Sequence, residues 1–188
     1  LDQQPGLWQT LAVGDFDNNG RFDLLAGNWG LNSHFKHVEK RVPYLVHGDI
    51  VGDGFYDALE ARFDVAAQQL LPRHRLLTLE QLFPFLREQF PTHRRYAGAT
   101  IQQLFAGQLA GAKLLKVSHL ASVVLLNRGG TFEAKPLPVE AQLTPVNGAT
   151  VADFDGDGNE DVFLSQNFFA VRVEDYRMDA GEGLLLLG

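Results

Sequence analysis

The sequence predicts a mainly β chain interrupted by a short α-helical insertion. Three observations carry that expectation. Short apolar segments rich in β-formers are bounded by Gly, Asp and Asn turns. An Asp-rich loop recurs between such segments. Residues 68–110 then change character, with Leu, Gln and Arg replacing Val and Asp.

The strand signals come in pairs around the Asp-rich loops. Trp8–Val13 precedes the first loop and Leu24–Asn28 follows it. Gly148–Ala152 precedes the last and Val162–Leu164 follows it. Val123–Leu126 runs into Asn127-Arg128-Gly129-Gly130 and then Thr131–Ala134, which reads as a hairpin whose glycines supply positive φ.

Residues 14–25 read GDFDNNGRFDLL and residues 152–163 read ADFDGDGNEDVF. Residues 48–59, GDIVGDGFYDAL, form a weaker third copy. Counted from the first Asp, the full copies carry Asp at positions 1 and 3, Asn19 or Asp157 at 5, Gly at 6 and Asp at 9. Alternate residues of a tight loop can turn side-chain oxygens onto one point, and Gly permits the reversal. This suits a hard cation such as calcium, which takes six to eight oxygens at about 2.3–2.6 Å. Position 7 would add a backbone carbonyl. Position 2 is apolar each time (Phe16, Ile50, Phe154), as expected of a residue that anchors the loop in a core. An EF-hand shares much of this spacing but needs a bidentate Glu at position 12 and flanking helices. Position 12 is Ala26 and Leu164 in the full copies, and the flanks are strand-like.

The insertion should hold two or three short helices. Thr78 with Gln81, and Thr100 with Gln103, have capping-box spacing. Pro84 and Pro91 break any longer helix. Five arginines (73, 75, 87, 94, 95) face two glutamates (80, 88), a net of +3, so the rest of the chain carries −10 of the total −7. Such a face is solvated, meets an acidic partner or packs over the acidic β body.

Composition narrows the function classes. At net charge −7 the chain is a poor candidate for nucleic acid or anionic membrane surfaces. No apolar run is long enough to span a bilayer. With no cysteine there is neither a disulfide framework nor a thiolate metal site. HExxH, GxSxG, P-loop and dinucleotide motifs are absent. His34 and His37 form an isolated HxxH, read as structural or surface residues. Trp29, directly after a strand, reads as packing, and Asn167-Phe168-Phe169 sits at nearly the same place after the last loop.

On these motifs the chain resembles FG-GAP/VCBS repeats, the blades of integrin-α-like β-propellers. The run DFDNNGRFDLLAGNWGLNS, the stretch VVLLNRGGTFEAKPLP, GATVADFDGDGNEDVFLSQN and a closing YRMDAGEGLLLLG are similar to bacterial VCBS-repeat proteins related to the ASPIC/UnbV and cartilage-acidic-protein group. The resemblance implies calcium held by Asp15, Asp17, Asn19, the Arg21 carbonyl and Asp23, and by Asp153, Asp155, Asp157, the Asn159 carbonyl and Asp161. It extends less fully to Asp49, Asp53, the Phe55 carbonyl and Asp57, because Val51 occupies position 3. It further implies an extracellular, periplasmic or outer-membrane-associated location. The implied role is non-enzymatic binding, adhesion or scaffolding, with a protein or carbohydrate ligand. The alternative is a polysaccharide-cleaving propeller, which a cleft converging residues such as His93, Arg94 and Tyr96 would favour.

At roughly 40–50 residues per blade, the chain outside the insertion amounts to about three blades, fewer than a closed ring needs. The expected division is 1–67 with two Asp-rich loops, 68–110 as the helical insertion, and 111–188 with the strongest loop. Both ends read as the interior of a longer polypeptide, whose remaining blades would be partners of this segment.

Overall fold

A computed structural model describes residues 5–33, 43–106, 109–171 and 176–188. Among these the chain is mainly β, with eleven strands in three antiparallel sheets and four short helices. His34 and His37 lie outside the described residues. The chain divides into two compact units, Leu1–Pro5 with His37–Ser118, and Gly6–Lys36 with His119–Gly188.

The second unit holds two sheets. Strands β1 (Thr10–Gly14) and β2 (Asp23–Gly27) form a hairpin around the first Asp-rich loop. Strands β7 (Val123–Asn127) and β8 (Phe132–Pro136) complete that sheet in the order β1-β2-β7-β8. The predicted Val123–Ala134 hairpin is thus present, with Asn127 opposite Phe132. Pairing of Ala26 with Val123 makes neighbours of strands separated in sequence by the whole first unit. The other sheet, β11-β10-β9, consists of β9 (Val146–Ala152) and β10 (Asp161–Gln166) around the last loop, with β11 (Leu184–Leu186) at the edge. Leu25 of β2 shares a core with Val146, Val162 and Leu164, and Ala12, Val124, Val151 and Leu184 pack against it. Alternation along the strands sends these residues inward and leaves Leu11, Val13 and Phe163 exposed. Trp29 meets Phe168 with ring centroids 5.1 Å apart, so the residues that follow the two hairpins pack on each other.

The first unit places the third hairpin, β3 (Pro43–Gly48) and β4 (Asp57–Asp64), in a sheet ordered β5-β4-β3-β6 with β5 (Gln69–Pro72) and β6 (Ala112–Lys116). Helices α1 (Leu76–Leu82), α2 (Leu86–Gln89), α3 (His93–Tyr96) and α4 (Ile101–Leu104) follow β5. They share one core with the sheet, in which Val46, Ile50, Leu59 and Ala61 pack with Leu79, Leu86, Leu104 and Phe105. The sequence boundaries at 67/68 and 110/111 both fall inside this unit.

Helix ends follow local chemistry. α1 ends at Leu82, directly before Phe83-Pro84, and α2 at Gln89, directly before Phe90-Pro91, because the residue before proline is pushed out of the helical region. Thr100 and Gln103 form the expected capping box. Thr78 does not cap: α1 begins at Leu76, with Arg75 at the N-cap and no side-chain cap, so Thr78 lies within the helix. Burial of Leu76 and Leu79 sets that start in place of the threonine.

Because sheet and helices share a core, Leu104→Ala should cost about 2–5 kcal/mol. Amides of β3 and β4 should lose hydrogen-exchange protection together with those of α1. Loss confined to the helices would show two independent cores.

Candidate metal centre

The three Asp-rich loops have one backbone design. In each, the residue before position 1 pairs across the hairpin with the position 9 aspartate: Gly14 with Asp23, Gly48 with Asp57, Ala152 with Asp161. Residues at positions 4 and 6 take positive φ in every copy: Asn18 and Gly20, Gly52 and Gly54, Gly156 and Gly158. Only glycine and, less readily, asparagine enter that region at low cost, which accounts for the residue types at both positions. The position 1 carboxylate spans the reversal. Asp15 accepts N–H bonds from Asn19 (2.9 Å) and Gly20 (2.8 Å). Asp49 accepts from Asp53 and Gly54, and Asp153 from Gly156, Asp157 and Gly158. At position 5, Asn19, Asp53 and Asp157 accept the N–H of Arg21, Phe55 and Asn159.

Position 9 ties the loop to its sheet. Asp23 accepts from Phe16 N–H (3.0 Å) and, through its other oxygen, from Asn127 N–H on β7 (2.7 Å). Asp161 accepts likewise from Phe154 N–H (2.8 Å) and from Gly188 N–H beyond β11 (2.9 Å). Both aspartates are fully buried, at 0% and 1% exposure. The Gly188 and Phe154 N–H groups hold the Asp161 carboxyl below the usual carboxylate range. Asp57 is half-buried and accepts only the Ile50 N–H in the equivalent contact (3.3 Å). Burial raises its pKa, and the neighbouring Asp53 and Asp49 add to the rise against the Ile50 bond.

The loops differ in what they bring together. Carboxylate oxygens of Asp15, Asp17 and Asp23 lie within 4.8 Å of one another, and so do those of Asp153, Asp155 and Asp161. Among the described residues the middle loop makes no such group. Val51 at its position 3 packs against the core of the first unit, so that position is given to packing. Asp157 stays outside the last group and pairs with both the N–H and the side chain of Asn159. Arg21 places its guanidinium over Gly129 in the β7–β8 turn. Phe55 is exposed. At position 2, Ile50 is buried and Phe16 packs into the core, but Phe154 is half exposed, so the anchoring expected of it is not made.

Two features were not legible in the loops themselves. Arg128, in the turn after β7, pairs through Nη1 with Asp17 and through Nε (2.9 Å) and Nη2 (2.8 Å) with Glu133. Asp17, then Glu133, pushes the guanidinium pKa up. The first and last loops also latch together. Asn18 donates to the Asn159 side chain (2.6 Å), and the Glu160 carboxylate accepts the Asp15 N–H. Neither contact carries a sequence signal, because each joins residues more than a hundred positions apart.

The cleft of the first unit is lined by Arg94 but by neither His93 nor Tyr96. The Tyr96 hydroxyl donates to the His74 carbonyl, and burial pushes its pKa up to about 12. Among the described residues no helix is long and apolar enough to cross a membrane. No protein-family model, no curated protein and no solved structure matches this chain.

Positions 3 and 9 should separate by their structural roles when chelator is present. Asp23→Ala leaves two part-buried N–H groups without acceptors and should cost about 1–3 kcal/mol in all. Asp17→Ala removes one exposed ion pair, worth about 0–1 kcal/mol. Urea unfolding in chelator should rank the two variants in that order, and equal losses would deny position 9 its structural role.

Proposed function

We propose that this chain is a calcium-stabilised β-propeller module that binds or scaffolds and does not itself catalyse. One observation carries the reading. Two loops of the same backbone design each converge three carboxylates around a buried aspartate. The donor set is all hard oxygen, which suits calcium and magnesium, and calcium is the less demanding of the two in coordination geometry. A guanidinium already rests on Asp17, which indicates that the first group attracts a cation.

In this reading Asp15, Asp17, Asn19, the Arg21 carbonyl and Asp23 hold one ion. Asp153, Asp155, Asp157, the Asn159 carbonyl and Asp161 hold a second. Asp49, Asp53, the Phe55 carbonyl and Asp57 form a third, weaker candidate. Bound calcium supplies positive charge that relieves repulsion among carboxylates held a few Å apart. The chain's residues do the rest. The position 9 aspartate fixes the loop to its sheet, and Gly at position 6 turns the chain so that positions 1 and 3 come close to position 9.

The similarity of the loops to FG-GAP/VCBS repeats supports reading the sheets as blades and the location as extracellular or periplasmic. Extracellular calcium modules work at about 10⁻⁴–10⁻³ M, an affinity that exposed loops with three or four carboxylates can reach. The polysaccharide-cleaving alternative gains nothing from the cleft, whose lining offers no carboxylate or imidazole to act as a general base.

Calcium should raise the melting temperature and chelator should lower it, by on the order of 3 kcal/mol per site at about a hundredfold excess over Kd. Asp155→Ala should remove more of that response than Asp53→Ala. Arg128→Gln should tighten the first loop, because the ion no longer displaces a guanidinium from Asp17. Superimposed melting curves with calcium and with chelator would overturn the metal reading.

A further inference from the structure

The helical layer of the first unit contains an open cleft of about 590 Å³. Its walls are Gln89 and Phe90 at the end of α2, Arg94 and Arg95 on α3, and Ala99 and Gln103 leading into and along α4. No acidic residue lines it. Both arginines are exposed, and among the described residues neither has an ion-pair partner. Other arginines of the same unit are treated differently: Arg62 pairs with Asp64, and Arg73 with Glu60. The cleft sits in the +3 segment of a chain whose total is −7, so its positive charge is local.

The frame that carries the arginines is pinned. Thr92 caps α3 by accepting the Arg95 N–H, and the Thr100–Gln103 box starts α4. Gln89 Nε2 donates to the Gln103 carbonyl (2.7 Å), which bridges the two walls. Phe90 packs edge-on to Tyr96 at 6.1 Å, and Tyr96 is tied to the His74 carbonyl. The guanidinium groups therefore stand on a fixed base beside an apolar floor, and their planar forks suit carboxylates.

We propose that this cleft binds an acidic peptide segment of a partner, with Arg94 and Arg95 taking carboxylates, and with Gln89 Oε1 and Gln103 Nε2, the side-chain atoms not used in the bridge and the capping box, taking main-chain groups. A peptide is favoured over an acidic sugar because Gln89 Oε1 and Gln103 Nε2 supply one acceptor and one donor, the pair that a main-chain amide needs. The proposal is independent of calcium, since none of the Asp-rich loop residues lines the cleft.

The test uses the full chain and a fluorescein-labelled hexaglutamate peptide, followed by fluorescence anisotropy with calcium and with chelator. Wild type should bind, and binding should weaken as salt rises. Arg94→Gln/Arg95→Gln should bind at least about tenfold more weakly, the loss expected from removing charge-assisted hydrogen bonds. Arg87→Gln, outside the cleft, should change affinity by no more than about twofold. All three sites are exposed, so the variants should keep the wild-type circular dichroism spectrum. Equal losses for Arg87→Gln and the double variant would mean diffuse charge and would overturn the site. So would tighter binding of a labelled trigalacturonate than of the peptide. Self-association of the wild type that the double variant abolishes would identify a second copy as occupant and overturn the partner assignment.

Discussion

The second unit depends on a buried aspartate at the end of each Asp-rich loop. Asp23 and Asp161 each accept one N–H from within their own loop and a second from the next strand or its continuation. A carboxylate without exposure is costly unless its oxygens are satisfied, and here backbone donors satisfy both. That one contact closes the loop, sets the hairpin register and joins the hairpin to its sheet. Asp57 in the first unit keeps only the loop half of the arrangement, and its carboxylate is correspondingly less favoured.

On this base the loops can carry more negative charge than a turn requires. Positions 1 and 5 accept the loop's own N–H groups, and position 3 brings a further carboxylate close to positions 1 and 9. In the first loop Arg128 answers that charge, and Glu133 holds the other side of the guanidinium. In the last loop no basic side chain does so among the described residues. The latch of Asn18 on Asn159 and of Glu160 on the Asp15 amide brings the two acidic loops into one neighbourhood. Their charges therefore add, and a cation near either loop is felt by both.

The first unit shows the same hairpin put to another use. Val51 replaces the outward carboxylate and packs into a core shared with the helices, and Ile50 beside it is fully buried. The loop that is poorest as a cation site is the one most committed to packing. The helices in turn line a cleft that holds two arginines and no acid.

The sequence by itself determined the local features. Loop spacing, the Gly at position 6, the strand-like flanks, the Val123–Ala134 hairpin, the helix-breaking prolines and the Thr100–Gln103 cap all follow from a few neighbouring residues. Thr78 failed as a cap and Phe154 as an anchor, because burial of Leu76 and Leu79 and the exposed side of the last hairpin outweighed local preference. Tertiary structure alone decided that β2 pairs with β7 across the whole first unit, that the helices share a core with the middle hairpin, and that Arg128 and Glu160 reach the first loop. Local signals report only the free energy of nearby residues. Pairings across a hundred positions are chosen by which apolar faces bury each other, and no spacing in the sequence encodes that choice.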